Sequence, residues 1–182
     1  MTTPAPDPLD APTAALAAAV LEVARHLEDT PLAAPQLFAL ARSAELLAAS
    51  PALAAMLGAE TEGAATGDDL HLTPIDLGEA SESGADVAVD DPLVALETVQ
   101  WPDLAAGGAV ACDLPASAWS VRDDDPAAGL PTGQPLRVVV AALADGTTWS
   151  AVHRGGEDGY VLGAALLPDI SAALVETLQP TG

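Results

Sequence analysis

Histidine is the residue of this chain with the widest chemical use, because imidazole serves both as a general base and as a metal ligand. His71 follows the acidic pair Asp68–Asp69, and His153 precedes Glu157–Asp158. Each group combines the nitrogen and oxygen atoms that a metal site or an acid–base pair requires. One hypothesis is therefore a small-ligand or metal-binding protein, such as a hydrolase, that uses His71 or His153 with the nearby carboxylates.

No catalytic motif is complete in this sequence. The third histidine, His26, lies on the polar face of a predicted helix, and no H-E-x-x-H arrangement is present. The run Asp123–Asp125 lacks the alternating ligands of a calcium-binding loop and favours a solvated loop. The chain has no lysine, which excludes Schiff-base chemistry, a pyridoxal phosphate linkage and a phosphate-binding loop lysine. The sequence therefore favours a protein without catalytic activity, and we expect no cofactor and no bound metal.

Three tryptophans are informative because aromatic residues make up only 3% of the chain. Trp149 lies in a predicted hairpin, where it belongs either to the core or to an interaction hot spot on an exposed sheet face. Trp101 and Trp119 lie in loops or at the ends of elements. They either cover an edge of the core or line a groove for an apolar ligand or a partner peptide. All three are candidate interaction residues.

Two arginines, Arg137 and Arg154, lie near opposite ends of the same predicted hairpin. In a chain this acidic, we expect them to pair with local carboxylates. The alternative is a small basic spot that receives an anionic ligand or partner group.

The net charge of −22 limits the classes of partner. It repels phosphate and so argues against binding to nucleic acid or to an anionic membrane. Together with the scarce tryptophans, it favours a non-enzymatic adaptor or chaperone-like module that contacts a partner protein through its sheet face or its helical layer. A homodimer is also consistent with the sequence.

The single cysteine, Cys112, excludes an internal disulfide and is expected to be a small buried apolar residue. No apolar run reaches the roughly 20 residues of a membrane-spanning helix, and the first residues lack the pattern of a signal peptide. We therefore expect a cytoplasmic protein without membrane insertion. The alanine-rich, lysine-free composition fits a bacterium of high genomic GC content or a salt-adapted organism.

Apolar spacing and proline positions predict five helices. They lie at 12–28, from Pro35 onward with Leu37, Leu40, Ala41, Ala44 and Leu47 on one face, at 51–57, at 93–99, and from Pro168 with Ile170, Leu174 and Leu178 on one face.

Strands are predicted at 70–77 as an edge strand, at 108–114, at 136–143 and 147–153 as a hairpin, and at 159–162. These elements predict an α+β fold in which an antiparallel sheet of three to five strands has helices packed on one side. Residues 1–11 are interpreted as a flexible lead-in to one domain at 12–182, with mobile acidic loops near 59–69, 79–91 and 115–135.

Several segments resemble a known family. Residues 37–47 and 50–54, the Trp101–Pro102 step and the closing Leu167–Ile170 segment are similar to a group of conserved hypothetical actinobacterial proteins. The resemblance extends from about Pro12 to Leu178. No activity and no catalytic residues are assigned to that family, so the resemblance implies a bacterial cytoplasmic origin and no site.

Overall fold

A computed structural model describes residues 11–30, 32, 34–56, 70–79, 92–114, 136–153, 160–163 and 166–179. Residues 1–10 of the predicted lead-in lie outside this set. The predicted acidic loops at 59–69 and 115–135, and all of the loop at 79–91 except its first residue, lie outside it as well.

The described residues form five helices, and α1 is the longest of them. Its residues Leu16, Val20 and Val23 recur at helical spacing and are fully buried, as the sequence pattern predicted. The helices are α1 (Ala11–His26), α2 (Ser43–Ala49), α3 (Pro51–Met56), α4 (Pro92–Thr98) and α5 (Pro168–Leu178). No helix within the described ranges has the length and apolar character needed to cross a lipid bilayer.

Six strands form one antiparallel sheet, which confirms the α+β class. The strands are β1 (Gln36–Arg42), β2 (Leu72–Glu79), β3 (Ala105–Leu114), β4 (Leu136–Leu143), β5 (Thr148–His153) and β6 (Tyr160–Gly163). They lie in the order β2-β1-β3-β4-β5-β6, so β2 and β6 are the two edge strands among the described residues. The predicted hairpin is β4–β5, and its turn contains Gly146 with a φ of +97°.

The prediction of three to five strands is wrong because the segment that follows Pro35 begins as β1 and not as a helix. Residues 37–41 are all buried. A central strand that is buried on both faces has a continuous apolar run, and such a run also contains pairs of residues at helical spacing. Only the second half of the predicted helix is helical, as α2.

Both faces of the sheet are covered, so the prediction that helices pack on one side is also wrong. Alternate residues of β4 point to opposite faces. Those at 138, 140 and 142 pack in one apolar cluster with α4 and α5, and those at 139, 141 and 143 pack in another with α1. We call these two sides of the sheet the α5 face and the α1 face. Strands that are apolar on both sides require a packed layer, here of helices, to cover each face of the sheet.

A close contact at Gly108 holds Trp101 on the α5 face. A Cβ atom at Gly108 would lie within van der Waals radii of three carbon atoms of the Trp101 indole. The indole Nε1 donates a hydrogen bond to the Thr177 hydroxyl of α5 at 3.1 Å, which fixes the ring in place. The absence of a side chain at residue 108 therefore allows this tryptophan to lie flat against β3.

We predict that Gly108→Ala lowers the free energy of unfolding by about 1–3 kcal/mol, because the new methyl group forces the indole out of its site. Urea denaturation measures the change. Gly163→Ala is the matched control, since its Cβ meets only the flexible side chain of Leu166 at 3.2 Å. In a Trp101→Leu background, Gly108→Ala should lower the free energy of unfolding by a smaller amount, because the indole that the methyl group meets is absent. An unchanged cost in that background would contradict the assignment.

Candidate functional site

One end of the sheet carries a row of polar side chains that crosses four strands. The register pairs Asp113 with Arg137, Arg137 with His153, and His153 with Tyr160. Arg137 and Tyr160 both reach main-chain carbonyls at the end of α1, which places the row on the α1 face. The sequence placed Arg137 and His153 in the hairpin, but only the register brings all four side chains into one line.

Arg137 forms the local ion pair that was expected of it. Its Nε and Nη2 atoms donate to the two carboxylate oxygens of Asp113 at 2.8 and 3.0 Å, and Nη1 donates to the carbonyl of Leu27 at 2.5 Å. The hydrogen bond to Asp113 raises the pKa of Arg137, although burial opposes it. Through its hydrogen bond to Leu27, the guanidinium binds the main chain directly after the C-terminal end of α1, where positive charge is favourable. Arg154 lies outside the described residues. The expectation that Arg137 and Arg154 lie near opposite ends of the hairpin is wrong, because the antiparallel register pairs Arg137 at the start of β4 with His153 at the end of β5.

His153 and Tyr160 contact each other edge to face, with ring centroids 4.8 Å apart. The Tyr160 hydroxyl donates to the carbonyl of Ala24 in α1 at 3.3 Å. Burial raises the pKa of Tyr160, Glu28 raises it further, and two arginines oppose the shift. The acidic neighbours predicted for His153, Glu157–Asp158, lie outside the described residues.

His71 lies at the opposite end of the sheet, next to the start of β2. Its Nδ1 atom is 2.6 Å from the Ser43 hydroxyl, which is also 2.6 Å from the Thr73 hydroxyl. The Ser43 amide donates to the carbonyl of His71 at 2.9 Å. A serine beside an imidazole is the start of a nucleophilic site. Here, however, Ser43 is 0% exposed, so the group attaches α2 to β2 rather than presenting a nucleophile.

The sequence analysis missed Ser43, because 28 residues separate it from His71. Asp68–Asp69, the acids expected to assist this histidine, lie outside the described residues, as does Asp123–Asp125. His26 is exposed and its ring contacts Phe38 edge to face. Since His71 and His153 lie at opposite ends of the sheet, they do not form one site. Within the described ranges, no three metal-ligating side chains are grouped.

Two open cavities lie near the His71 end. The first has a volume of about 280 Å³ and is lined by alanines of α1 together with Glu22 and residues 70–72. The second has a volume of about 360 Å³ and is lined by Arg42, Glu45, Asp103, Asp145 and neighbouring apolar residues. Only the first contains one of the predicted site residues, His71.

The tryptophans do not share a groove. Trp101 packs on the α5 face and Trp149 packs on the α1 face, so the sheet separates them. Trp119 lies outside the described residues.

An apolar surface lies where β5 meets the open edge strand β6. Leu162 is 41% exposed, and Ala151 is its partner across the two strands. Trp149 is two residues before Ala151 and half-buried, so it is a diagonal neighbour of Leu162 on the α1 face. The Trp149 indole nitrogen is buried and has no hydrogen-bond acceptor among the described residues. We call Trp149 and Leu162 the apolar corner.

We predict that Ser43→Ala lowers the free energy of unfolding by about 1–3 kcal/mol, because the buried hydroxyl serves both His71 and Thr73. Ser150→Ala is the matched control, since Ser150 is equally buried and its hydroxyl has no partner among the described residues. Urea denaturation should show little change there. A fluorophosphonate should leave Ser43 unmodified in the native protein; stoichiometric labelling would contradict its structural role.

We predict that Tyr160 titrates above its ordinary pKa of 10.0. It is the only tyrosine of the chain, so phenolate absorbance reports on it alone. Well below pH 10 the Tyr160 hydroxyl keeps its proton in both the folded and the unfolded protein. As the pH rises past 10, the hydroxyl of the unfolded chain loses its proton first, so the free energy of unfolding falls. Glu28→Gln should lower the midpoint and Arg25→Gln should raise it. A midpoint at or below 10 in protein shown to be folded would contradict the burial of this hydroxyl.

The chain matches a protein family over nearly the whole range of the helices and strands described above. A family model described as PPA1309-like protein matches residues 16–179, from the first turns of α1 to the end of α5. No curated protein and no solved structure matches the chain. Because the family model covers most of the sequence, the chain belongs to the family of PPA1309-like proteins.

Proposed function

We propose that this chain is a non-enzymatic, cytoplasmic protein-interaction module of bacterial origin, and that its contact surface is the apolar corner. The observation that carries the proposal is the 41% exposure of Leu162 beside Trp149, on an outer strand of a sheet whose central strands are largely buried. Tryptophan is enriched at the energetic centres of protein interfaces. In a chain with a net charge of −22, such a surface is suited to contact with another protein.

Because helices pack on both faces of the sheet, the edge of the sheet is the more accessible place for this contact. The helices cover the central parts of both sheet faces, so the sequence-based idea of a free sheet face loses its support. The polar row at the Arg137 end does not offer an alternative surface. Arg137 is paired with Asp113 and Leu27, and Tyr160 is bonded to Ala24.

The charge of the chain favours a different protein as the partner over a second copy. Two copies would bring together two net charges of −22, and this repulsion opposes a homodimer. A partner whose surface is positive would be attracted and would associate faster at low salt.

A small-ligand function is the second proposal, and the cavity beside His71 supports it. His71 and Glu22 line that cavity together with alanines of α1, and a mostly apolar lining with a few polar residues is the general composition of a ligand site. The burial of Ser43 argues against a serine hydrolase at this position.

Site-specific crosslinking tests the interaction function. A photoreactive benzoylphenylalanine replaces Leu162 in one variant and Glu176 in the control, since Glu176 is also exposed but lies on α5. After irradiation of native host cells that produce each variant, we expect one predominant protein adduct from position 162 and none of the same mass from position 176. Identical adduct patterns at the two positions, or no adduct at position 162, would contradict the proposed surface.

A further inference from the structure

Building on the interaction function proposed above, we infer that the partner binds by adding an extended, positively charged segment to the outer edge of β6, as a seventh strand of the sheet. Strand addition uses main-chain hydrogen bonds for affinity and alternate side chains for specificity. Both features are present at β6, whereas the other edge, β2, contains a proline and two acidic residues.

The β2 edge is protected against strand addition. Pro74 lies within the strand and has no amide hydrogen to donate. Asp76 and Glu79 add negative charge, and the Asp76 carboxylate accepts a hydrogen bond from Gln36 at 2.8 Å. Proline and charged residues are the usual means by which proteins block an edge strand.

The described residues of the β6 edge show none of this protection. Its sequence, Tyr160–Gly163, contains no proline and no charged residue. Among the described strands it pairs only with β5, so its outer main-chain groups face away from the sheet. Its short length limits the number of hydrogen bonds available to a partner, which points to reversible binding.

The side chains next to this edge define what a seventh strand would contact. Tyr160 and Leu162 point to the α1 face, and Val161 points to the α5 face. An apolar residue of the incoming strand on the α1 face would lie beside Leu162 and reach toward Trp149. Its alternate residues can be basic, and the net charge of −22 attracts them.

Two synthetic peptides test this assignment by NMR on the full chain. One alternates valine and lysine over seven residues, and the matched control alternates valine and glutamate. At a peptide concentration of about nine times its Kd, roughly nine-tenths of the chain is occupied. The β6 amides that point away from β5 should then exchange about tenfold more slowly, since only about a tenth of the molecules remain unprotected. The Trp149 indole resonance should shift as well.

A pair of variants separates edge binding from general charge attraction. Leu162→Lys places a charge on the edge strand and should abolish the slowed exchange. Leu93→Lys adds the same charge at a residue of α4 that is similarly exposed, at 38%, and should leave peptide binding unchanged.

The possible outcomes distinguish strand addition from the broader function. A shifted Trp149 resonance with unchanged exchange of the β6 amides would overturn strand addition while leaving the apolar corner as the contact surface. Equal effects of the lysine and glutamate peptides would overturn the charge preference. Protection of β2 amides, or no response to either peptide, would overturn the assignment of β6. Absence of a protein adduct at position 162 in the crosslinking experiment described above would instead overturn the interaction function itself.

Discussion

The constraint on which this structure depends is the burial of a sheet that is apolar on both faces. In β4, every residue from Val138 to Leu143 is buried, and alternate side chains point to opposite sides. Each side then loses the free energy of hydrophobic burial, about 25 cal/mol per Å² of apolar area, unless a helix covers it. With α1 on one face and α4 and α5 on the other, the helices cover the central parts of both faces of the described sheet and leave its ends and edges less covered.

Polar side chains at the two ends of the sheet attach the helices to it. Arg137 connects Asp113 of β3 to the main chain after α1, and Ser43 connects the start of α2 to His71 and Thr73. An arginine with a carboxylate and a serine with an imidazole are also pairs used in catalysis. Here they satisfy main-chain and buried polar groups, which would otherwise cost about 1–3 kcal/mol each.

The sequence predicted the elements whose signals are local. The periodicity of α1, the Asp145–Gly146 turn and the proline at the start of α5 were each sufficient for a correct prediction. It failed at β1, where residues 37–41 are continuously apolar and fit both a helix and a buried strand. The continuous apolar run of β4 is typical of a strand buried on both faces, so it was a local sign of the second helical layer that the one-sided prediction did not use. The positions of Trp101 and Trp149 on opposite faces, and the contact of Ser43 with His71, depend on register and on long-range packing. No local pattern could have shown them.

The net charge and the open β6 edge are physically related. An uncharged, proline-free edge strand exposes main-chain groups that can pair with any other extended chain, including another copy. Local charges protect β2 against this, as Asp76 and Glu79 show. For β6, whose residues Tyr160–Gly163 carry no charge, the net charge of −22 is the term that opposes the approach of an identical chain. Long-range repulsion of this kind depends on the sign of the approaching charge. It opposes acidic chains and favours a basic one, so in the proposed strand addition the charge that works against self-association would also favour a basic partner.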